Sequence, residues 1–209
     1  MRQPRTHSPL LAVLVEGESD YGAVGVFLKN AGLRRFVCLK FGGKPPECPL
    51  PRLVGHLVRY IRLAELKGAT RIIVLVDREW RDQCAPSLAN DLTGEMLRQS
   101  PRYSSNQGGP CVRVVCPDHC LENWLIADPE AFATHAYIAR NVAQRVGSGA
   151  DCKPAIDIIK WAFRKGLTYH KAKDAPRLAA VVRVLDPSVR RRSKSLDKFL
   201  REAGVPPVS

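Results

Sequence analysis

The chain has 209 residues, of which 45% are hydrophobic and 25% charged, and its formal net charge is +13 at pH 7. This length and apolar content are typical of a globular domain that buries its own core, and they exclude an intrinsically disordered chain. No apolar run approaches the roughly 20 residues that cross a bilayer, so we expect no membrane span.

The N-terminal segment and the cysteines both indicate a cytoplasmic protein. Residues 1–9 are polar, and the apolar segment behind them is too short for a cleaved leader. Seven cysteines, an odd number scattered along the chain, favour reduced thiols over a secreted disulfide framework. Cys111, Cys116, His119 and Cys120 lie close in sequence, but their spacing matches no common zinc motif. We therefore expect no zinc site.

The first part of the chain alternates predicted strands and helices. Leu10 to Glu16 is a leucine-rich and β-branched run that ends at Gly17, which is typical of a strand buried on both faces. A helix follows, and either Ser19 or Asp20 is suited to cap it.

The same alternation continues to residue 117. The further predicted elements are a strand at 34–41, a helix at 52–67, a strand at 71–77, a helix around 88–98 and a strand at 111–117. This order predicts an α/β fold with a mainly parallel, four-stranded sheet, right-handed crossovers and helices on both faces.

The remainder of the chain predicts helices joined by polar turns. Residues 121–132 have a helical pattern that is interrupted at Asp128-Pro129, and amphipathic segments follow at 155–167, 174–185 and 195–204. No repeat or linker separates two domains. We expect residues 1–135 to form a metal-binding core, and residues 136–209 to form a basic helical extension packed on the sheet in the same compact unit.

Most of the excess positive charge lies near the C-terminus. Residues 153–209 contain 14 Lys and Arg but 5 Asp and Glu. Such a patch attracts phosphate backbones through counterion release. Other basic patches are simply solvated, or they bind an acidic protein partner. We favour nucleic acid, either DNA or RNA, as the partner.

Acidic side chains follow the first and the third predicted strands. Glu16 and Asp20 come after the first strand, and Asp77 and Glu79 come after the third. Because the carboxyl ends of parallel strands meet at one edge of a sheet, we expect these four carboxylates to share a site. They repel one another unless a cation lies among them, and such oxygens are the usual ligands of Mg²⁺ and Mn²⁺. The sequence therefore predicts a divalent metal site.

These acidic motifs resemble the Toprim superfamily, the metal-binding domain of topoisomerases, bacterial primases and the overcoming-lysogenization-defect nucleases. The resemblance rests on "EGESD" at 16–20 and "DRE" at 77–79. The family pattern is a Glu-Gly turn after the first strand and Asp-x-Asp after the third. Here Glu79 replaces the second Asp, which keeps the charge but lengthens the side chain.

Three later motifs are similar to those of a narrower group of Toprim-like bacterial proteins that are often encoded beside ABC-type ATPases. They are "LENWLIADPEAF" at 121–132, "YHKAKDAPRLA" at 169–179 and "RRRSKSLDKFL" at 190–200. The five motifs together span most of the chain. This likeness implies a nuclease that works with an ATPase in antiphage defence.

The resemblance also implies roles for individual residues. Asp77, Glu79 and Glu122 would hold one or two Mg²⁺ or Mn²⁺ ions. Glu16 would serve as general acid or base, or as a further ligand, and Asp20 would bind a second ion. Such ions activate water and stabilise the leaving oxygen of a phosphodiester.

The basic motifs suit the phosphate. By the same resemblance Lys171 would neutralise charge on the transition-state phosphate. Arg190, Arg191, Arg192 and Lys194 fit phosphate binding, and they equally fit a solvated turn.

Several acidic and aromatic positions have ordinary structural alternatives. Asp20 is suited equally to a helix N-cap and to a metal ion, and Glu122 to the first turn of its helix, where the dipole favours an anion. Glu18 is favoured as a solvated turn residue. Trp124, which is next to Leu125, is expected in the core rather than as a platform for bases.

Two functions from different classes compete. The first is a metal-dependent phosphodiester hydrolase that acts on nucleic acid. The second is a non-catalytic nucleic-acid or protein-binding module that keeps a Toprim fold. Primase-like nucleotidyl transfer is disfavoured because the chain has no primase zinc module, and a receiver domain is disfavoured because the helical tail has no place in that plan.

Overall fold

The computed structural model describes residues 10–43, 48–79, 81–103 and 108–207. The prediction that residues 1–9 contain no leader lies outside the described residues.

A single parallel sheet forms the centre of the protein. Its strand order is β2-β1-β3-β4, and every neighbouring pair runs parallel. The strands span Leu10–Val15 (β1), Phe36–Lys40 (β2), Ala69–Leu75 (β3) and Cys111–Val115 (β4). The predicted α/β class and the four-stranded sheet are therefore confirmed.

Helices account for most of the remaining secondary structure. A short 3₁₀ helix lies at Pro101–Tyr103. The α-helices span Glu18–Asn30 (α1), Leu50–Leu66 (α2), Ala85–Gln99 (α3), Glu122–Leu125 (α4), Pro129–Ala133 (α5), Ala143–Val146 (α6), Ala155–Ala162 (α7), Lys171–Val181 (α8), Pro187–Arg192 (α9) and Lys194–Glu202 (α10).

The first and third strands end before the acidic residues that follow them. The first strand was predicted to reach Glu16 and the third to reach Asp77, but they end at Val15 and Leu75. The backbone after β3 stays extended for one more residue, because the Val76 amide donates to the Val115 carbonyl at 3.3 Å. Both acids therefore stand in loops beyond the strands.

The sheet is covered on both faces, which explains the near-continuous apolar strands. Leu11 and Val13 of β1 and Ile73 of β3 face a core formed with α1 and the C-terminal helices. Leu14 and Val74 face a second core formed with α2 and α3.

The order of the strands creates a crevice between β1 and β3. The chain leaves β1 through α1 to reach β2 on one side, and it returns through α2 on the opposite face to reach β3 on the other side. Loops that leave the carboxyl ends of two such strands diverge, and ligands of open α/β sheets bind at this point.

The C-terminal half packs on the face of the sheet that carries α1. A Cβ atom on Gly22 would lie 2.5 Å from Cγ of Pro176, so α1 and α8 are in close contact there. Further along α1, the Asn30 amide donates to the carbonyls of Ala179 at 3.2 Å and Val182 at 3.4 Å. Because both contacts advance in the same direction, α1 and α8 run parallel, and both begin near the carboxyl edge of the sheet.

All seven cysteines are free, as predicted. Within the described ranges, no helix is long and apolar enough to span a membrane.

Candidate active site

Acidic side chains from three loops lie at the carboxyl edge of the sheet. Glu16 is the first residue after β1, Asp77 is the second residue after β3, and Glu122 opens α4 in the connection that follows β4. Because all four strands run parallel, each of these loops emerges at the same edge. The structure therefore brings together acids that are up to 106 positions apart in the sequence.

Asp20 has a structural role at the start of α1 as well as a place in this cluster. The predicted caps were Ser19 and Asp20, but Gly17 is the N-cap residue and Asp20 is the third residue of the helix. Its Oδ2 atom accepts a hydrogen bond from the Gly17 amide at 3.0 Å. This bond satisfies a free helix-end donor and leaves Asp20 buried, 8% exposed, beside the other acids.

The acids of this edge interact strongly. Burial, followed by the charges of Glu79 and Asp20, raises the pKa of Glu16 from 4.5 to about 8. Burial, followed by Asp20, Glu16 and Glu122, raises the pKa of Asp77 well above its usual range. Burial is also the main reason why the pKa of Asp20 is raised. Burial is the largest cause of each shift and the neighbouring acids add to it, so a cation among these carboxyl groups would favour their ionised forms.

Glu122 is the most deeply placed of the acids, and it has one unsatisfied oxygen. The residue is 1% exposed. Its Oε1 atom accepts a hydrogen bond from the Tyr169 hydroxyl and lies 3.3 Å from the Lys171 ammonium. Its Oε2 atom has no hydrogen-bond partner among the described residues. A buried carboxylate oxygen without a partner is costly, so this atom is a candidate ligand for a cation.

Lys171 is the cation that the structure places beside this cluster. Partial burial disfavours its charge, but the neighbouring Glu122 outweighs burial, and together they leave the pKa of Lys171 raised. The side chain is 45% exposed, so the ammonium group contacts both the buried acid and solvent. It arrives here because α8 begins at the same edge of the sheet as α1.

Glu79 differs from the other predicted ligands because it is exposed and held in a left-handed backbone conformation, with φ of 47°. Its amide donates to the carbonyl of His119 at 2.7 Å. Beside it, Arg78 forms an ion pair of 3.4 Å with Asp118. These contacts join the loop after β3 to the loop after β4, and such strain in a non-glycine residue is typical of functional loops.

A cavity of about 410 Å³ opens next to the acids. Glu79, Lys171, His119, Cys120 and Lys153 are among the residues that line it. We call it the edge cleft. Its size is within the range of pockets that bind small ligands, and two of the predicted site residues lie in its wall.

The donors at this edge fit a hard divalent cation in kind, because they are carboxylate oxygens and one of them lacks a partner. Their side chains, however, do not converge on one point. Among the described residues, no three His, Cys, Asp or Glu side chains converge closely enough to hold a metal ion. The cluster is therefore a set of neighbouring acids rather than a preformed cage.

The predicted basic motif is divided between the interior and the surface. Arg190 is 2% exposed, donates to Asp197 at 2.7 Å and to the Pro206 carbonyl at 2.6 Å, and so supports the C-terminal fold. This burial is the reason to correct its predicted contact with nucleic acid. Arg192 forms an ion pair with Glu130 at 3.1 Å. Arg191 and Lys194 are exposed.

The expectation for Trp124 agrees with the structure, and that for Glu18 agrees in its exposure but not in its location, because Glu18 is the first residue of α1 rather than a turn residue. Glu18 is exposed and forms an ion pair with Lys40. Trp124 is fully buried, stacks on Phe199 with 5.0 Å between ring centroids, and donates to the Ser195 hydroxyl at 2.8 Å. The segment "RRRSKSLDKFL" therefore holds Trp124 in place through Ser195 and Phe199, and with it the short helix that carries Glu122.

Sequence reasoning missed Tyr169 and Arg78. Tyr169 is the first residue of the "YHKAKDAPRLA" motif, and its position two residues before Lys171 was the available signal. Arg78 is the middle residue of "DRE". Its role depends on Asp118, 40 positions later, and no local pattern indicates that contact.

Comparison of this chain with protein-family models, with curated proteins and with solved structures gave no match.

Proposed function

We propose that the protein is a cytoplasmic, metal-dependent phosphodiester hydrolase that acts on nucleic acid. One observation carries the proposal. Glu16, Asp20, Asp77 and Glu122 are electrostatic neighbours at the carboxyl edge of a parallel sheet, with Lys171 beside Glu122 and an open cleft next to them.

Asp77, Glu122 and Glu79 are the residues we assign to hold Mg²⁺ or Mn²⁺, and Asp20 extends this set. Asp77 interacts electrostatically with Glu16, Asp20 and Glu122, which places it at the electrostatic centre of the cluster. A bound divalent cation supplies Lewis-acid chemistry, since it neutralises phosphate charge and makes water more acidic.

The side chains around the cluster have distinct tasks. Lys171 directs its charge from the cluster towards the cleft, where it would contact a non-bridging phosphate oxygen. Glu16 is less buried than Glu122 or Asp20, so we assign it to move the proton of the attacking water or of the leaving oxygen. Tyr169 keeps the carboxylate of Glu122 in place through its hydroxyl.

The basic C-terminal half supports nucleic acid as the substrate. The resemblance to Toprim-like proteins encoded beside ABC-type ATPases supports a place in antiphage defence with such an ATPase as partner. Both assignments belong to the same proposal.

A cleavage assay tests this proposal. Wild-type protein and the Glu16→Gln/Asp77→Asn double variant are incubated with supercoiled plasmid, single-stranded DNA and structured RNA, each with Mg²⁺, Mn²⁺ or EDTA. The expected result is cleavage by the wild type alone, and its loss in EDTA. Equal cleavage by both proteins would show that the activity comes from elsewhere or from a contaminant.

A second function has one observation in its favour. The acids do not converge as a ready metal cage among the described residues, which suits a non-catalytic nucleic-acid or protein-binding module. Salt-sensitive binding to DNA or RNA without cleavage under either metal, with and without the ATPase, would favour this alternative.

A further inference from the structure

A second cavity of about 390 Å³ lies next to the edge cleft. The two share Cys152 as a wall residue, and Asp118 and Asp151 of the second cavity are adjacent in sequence to His119 and Cys152 of the cleft. The two cavities therefore adjoin each other at Cys152.

The second cavity is lined by one basic face of α10. Lys194, Lys198 and Arg201 all contribute to its wall, and their spacing of four and three residues places them on one side of the helix. Arg201 forms an ion pair with Asp197 at 3.0 Å. Lys194 and Lys198 form no ion pair within the part of the chain that the structure describes. We call this cavity the basic cavity.

The two acids of the basic cavity are already engaged. Asp151 accepts hydrogen bonds from the hydroxyls of Ser193 at 2.8 Å and Ser195 at 2.9 Å. Asp118 forms an ion pair with Arg78. Neither acid forms an ion pair with Lys194 or Lys198 among the described residues, although the Oδ2 atom of Asp118 is buried without a hydrogen-bond partner there. The three cationic side chains of this wall outnumber its two acids.

Backbone dipoles add to the positive character of the basic cavity. Ala85 and Pro86, the first residues of α3, and Lys194, the first residue of α10, lie in its wall. The N-terminus of α3 therefore approaches the same space as three cationic side chains, whereas the N-terminus of α10 is already occupied by Asp151, whose Oδ2 atom accepts from the Ser195 amide at 3.1 Å. This environment repels metal ions and favours an anion.

We infer that the basic cavity binds a backbone phosphate of the nucleic-acid strand, next to the phosphodiester held at the carboxylate cluster. This inference rests on the proposed function and deepens it, because it locates a substrate subsite beyond the reacting bond. It also replaces the buried Arg190 with Lys198 and Arg201 as contacts of the strand. A strand is favoured over a free phosphate because the cavity adjoins the cleft.

The test measures binding without cleavage. A fluorescein-labelled 12-nucleotide single-stranded DNA, and an RNA of the same sequence, are titrated in EDTA and followed by fluorescence anisotropy over a series of salt concentrations. The proteins are the wild type, Lys194→Gln/Lys198→Gln, and Arg59→Gln/Arg62→Gln as a control of equal charge on the exposed side of α2. Matching thermal unfolding curves confirm that all three are folded.

The lysine variant should bind the preferred strand about 10-fold more weakly than the wild type, and the slope of log affinity against log salt should fall by about 0.7, the value expected for the loss of one phosphate contact on a single strand. The control should remain within about twofold of the wild type, because general charge effects fall off over a Debye length. Lys194→Arg/Lys198→Arg should restore most of the affinity, since arginine also binds phosphate.

Three other outcomes overturn the inference in different ways. If the lysine variant binds like the control variant while the wild type cleaves nucleic acid, the basic cavity is not a subsite and the proposed function stands. If inorganic phosphate at 10-fold excess over strand phosphate displaces the oligonucleotide fully, the cavity binds free phosphate instead of a strand. If the wild type neither binds nor cleaves either strand, the inference and the proposed function both fall.

Discussion

The crowded carboxylates should destabilise the metal-free protein, so removing one of their charges should stabilise it. Burial, then Glu79 and Asp20, raises the pKa of Glu16 from 4.5 to about 8. The unfolded chain loses this proton near pH 4.5, whereas the folded chain keeps it until about pH 8. Between these values the folded state binds more protons, so the free energy of unfolding falls as pH rises.

The size of this effect follows from the two pKa values. At pH 7 the folded state keeps a proton that the unfolded state has released about 2.5 pH units earlier, which corresponds to about 3.4 kcal/mol. Because Glu16 is partly exposed to water, we expect about 2 kcal/mol in practice. The Glu16→Gln substitution removes this cost, and in a chain of this length it should raise Tm by about 4 to 8 °C.

Thermal and urea unfolding in EDTA at pH 5, 7 and 8.5 measure this difference. Glu18→Gln is the matched control, because Glu18 is exposed and lies two residues away. The advantage of Glu16→Gln over the wild type should be small at pH 5 and grow towards pH 8.5, and Glu18→Gln should change stability by less than about 0.5 kcal/mol. Equal stability of Glu16→Gln and the wild type at pH 8.5 would refute the reasoning.

Three further substitutions test other parts of the structure. Gly22→Ala should destabilise the protein by about 1 to 3 kcal/mol in urea unfolding, because the new Cβ would lie 2.5 Å from Pro176. Gly25→Ala in the same helix meets nothing within 4 Å and should stabilise the protein by about 0.5 to 1 kcal/mol. The opposite order would contradict the close packing of α1 on α8. Asp128→Asn should cost about 2 kcal/mol, because the fully buried Asp128 accepts from Arg183 at 2.6 and 2.8 Å while the Arg183 side chain itself is 52% exposed. The exposed Glu130→Gln should cost less than about 0.5 kcal/mol, and similar losses in both would show that the burial of Asp128 adds nothing to this ion pair. Lys171→Met should lower the rate of nucleic-acid cleavage about 100-fold. Lys173→Met changes a lysine that is also exposed and two residues away, and it should leave the rate within about twofold of the wild type. Equal rates for the two variants would remove Lys171 from the reaction.

The sheet and the meeting of the acids could be predicted because both depend on local patterns. The β-branched runs around Val13 and Ile73 are buried on both faces, and parallel pairing of such strands brings Glu16 and Asp77 to one edge. The interruption at Asp128-Pro129 was also predictable, since α5 begins at Pro129 and Asp128 accepts from the Ala131 amide at 3.2 Å.

Features that depend on contacts between distant segments could not be read from the sequence. The run of three arginines looks solvated or phosphate-binding, yet Arg190 is buried because α10 folds back and supplies Asp197. The left-handed conformation of Glu79 depends on the His119 carbonyl, and the basic cavity depends on how α10 lies against the start of α3. No pattern of neighbouring residues in the sequence indicates any of these three features.

Binding of Mn²⁺ tests whether the acids that follow β1, β3 and β4 form one site for a divalent cation. The signal of free Mn²⁺ in electron paramagnetic resonance is recorded while Mn²⁺ is titrated into the wild type, Asp77→Asn and the control Glu18→Gln at pH 7.5. The wild type and Glu18→Gln should bind one or two ions per chain, and Asp77→Asn should lose at least one of them. Absence of binding to the wild type, or equal binding by Asp77→Asn, would contradict the account.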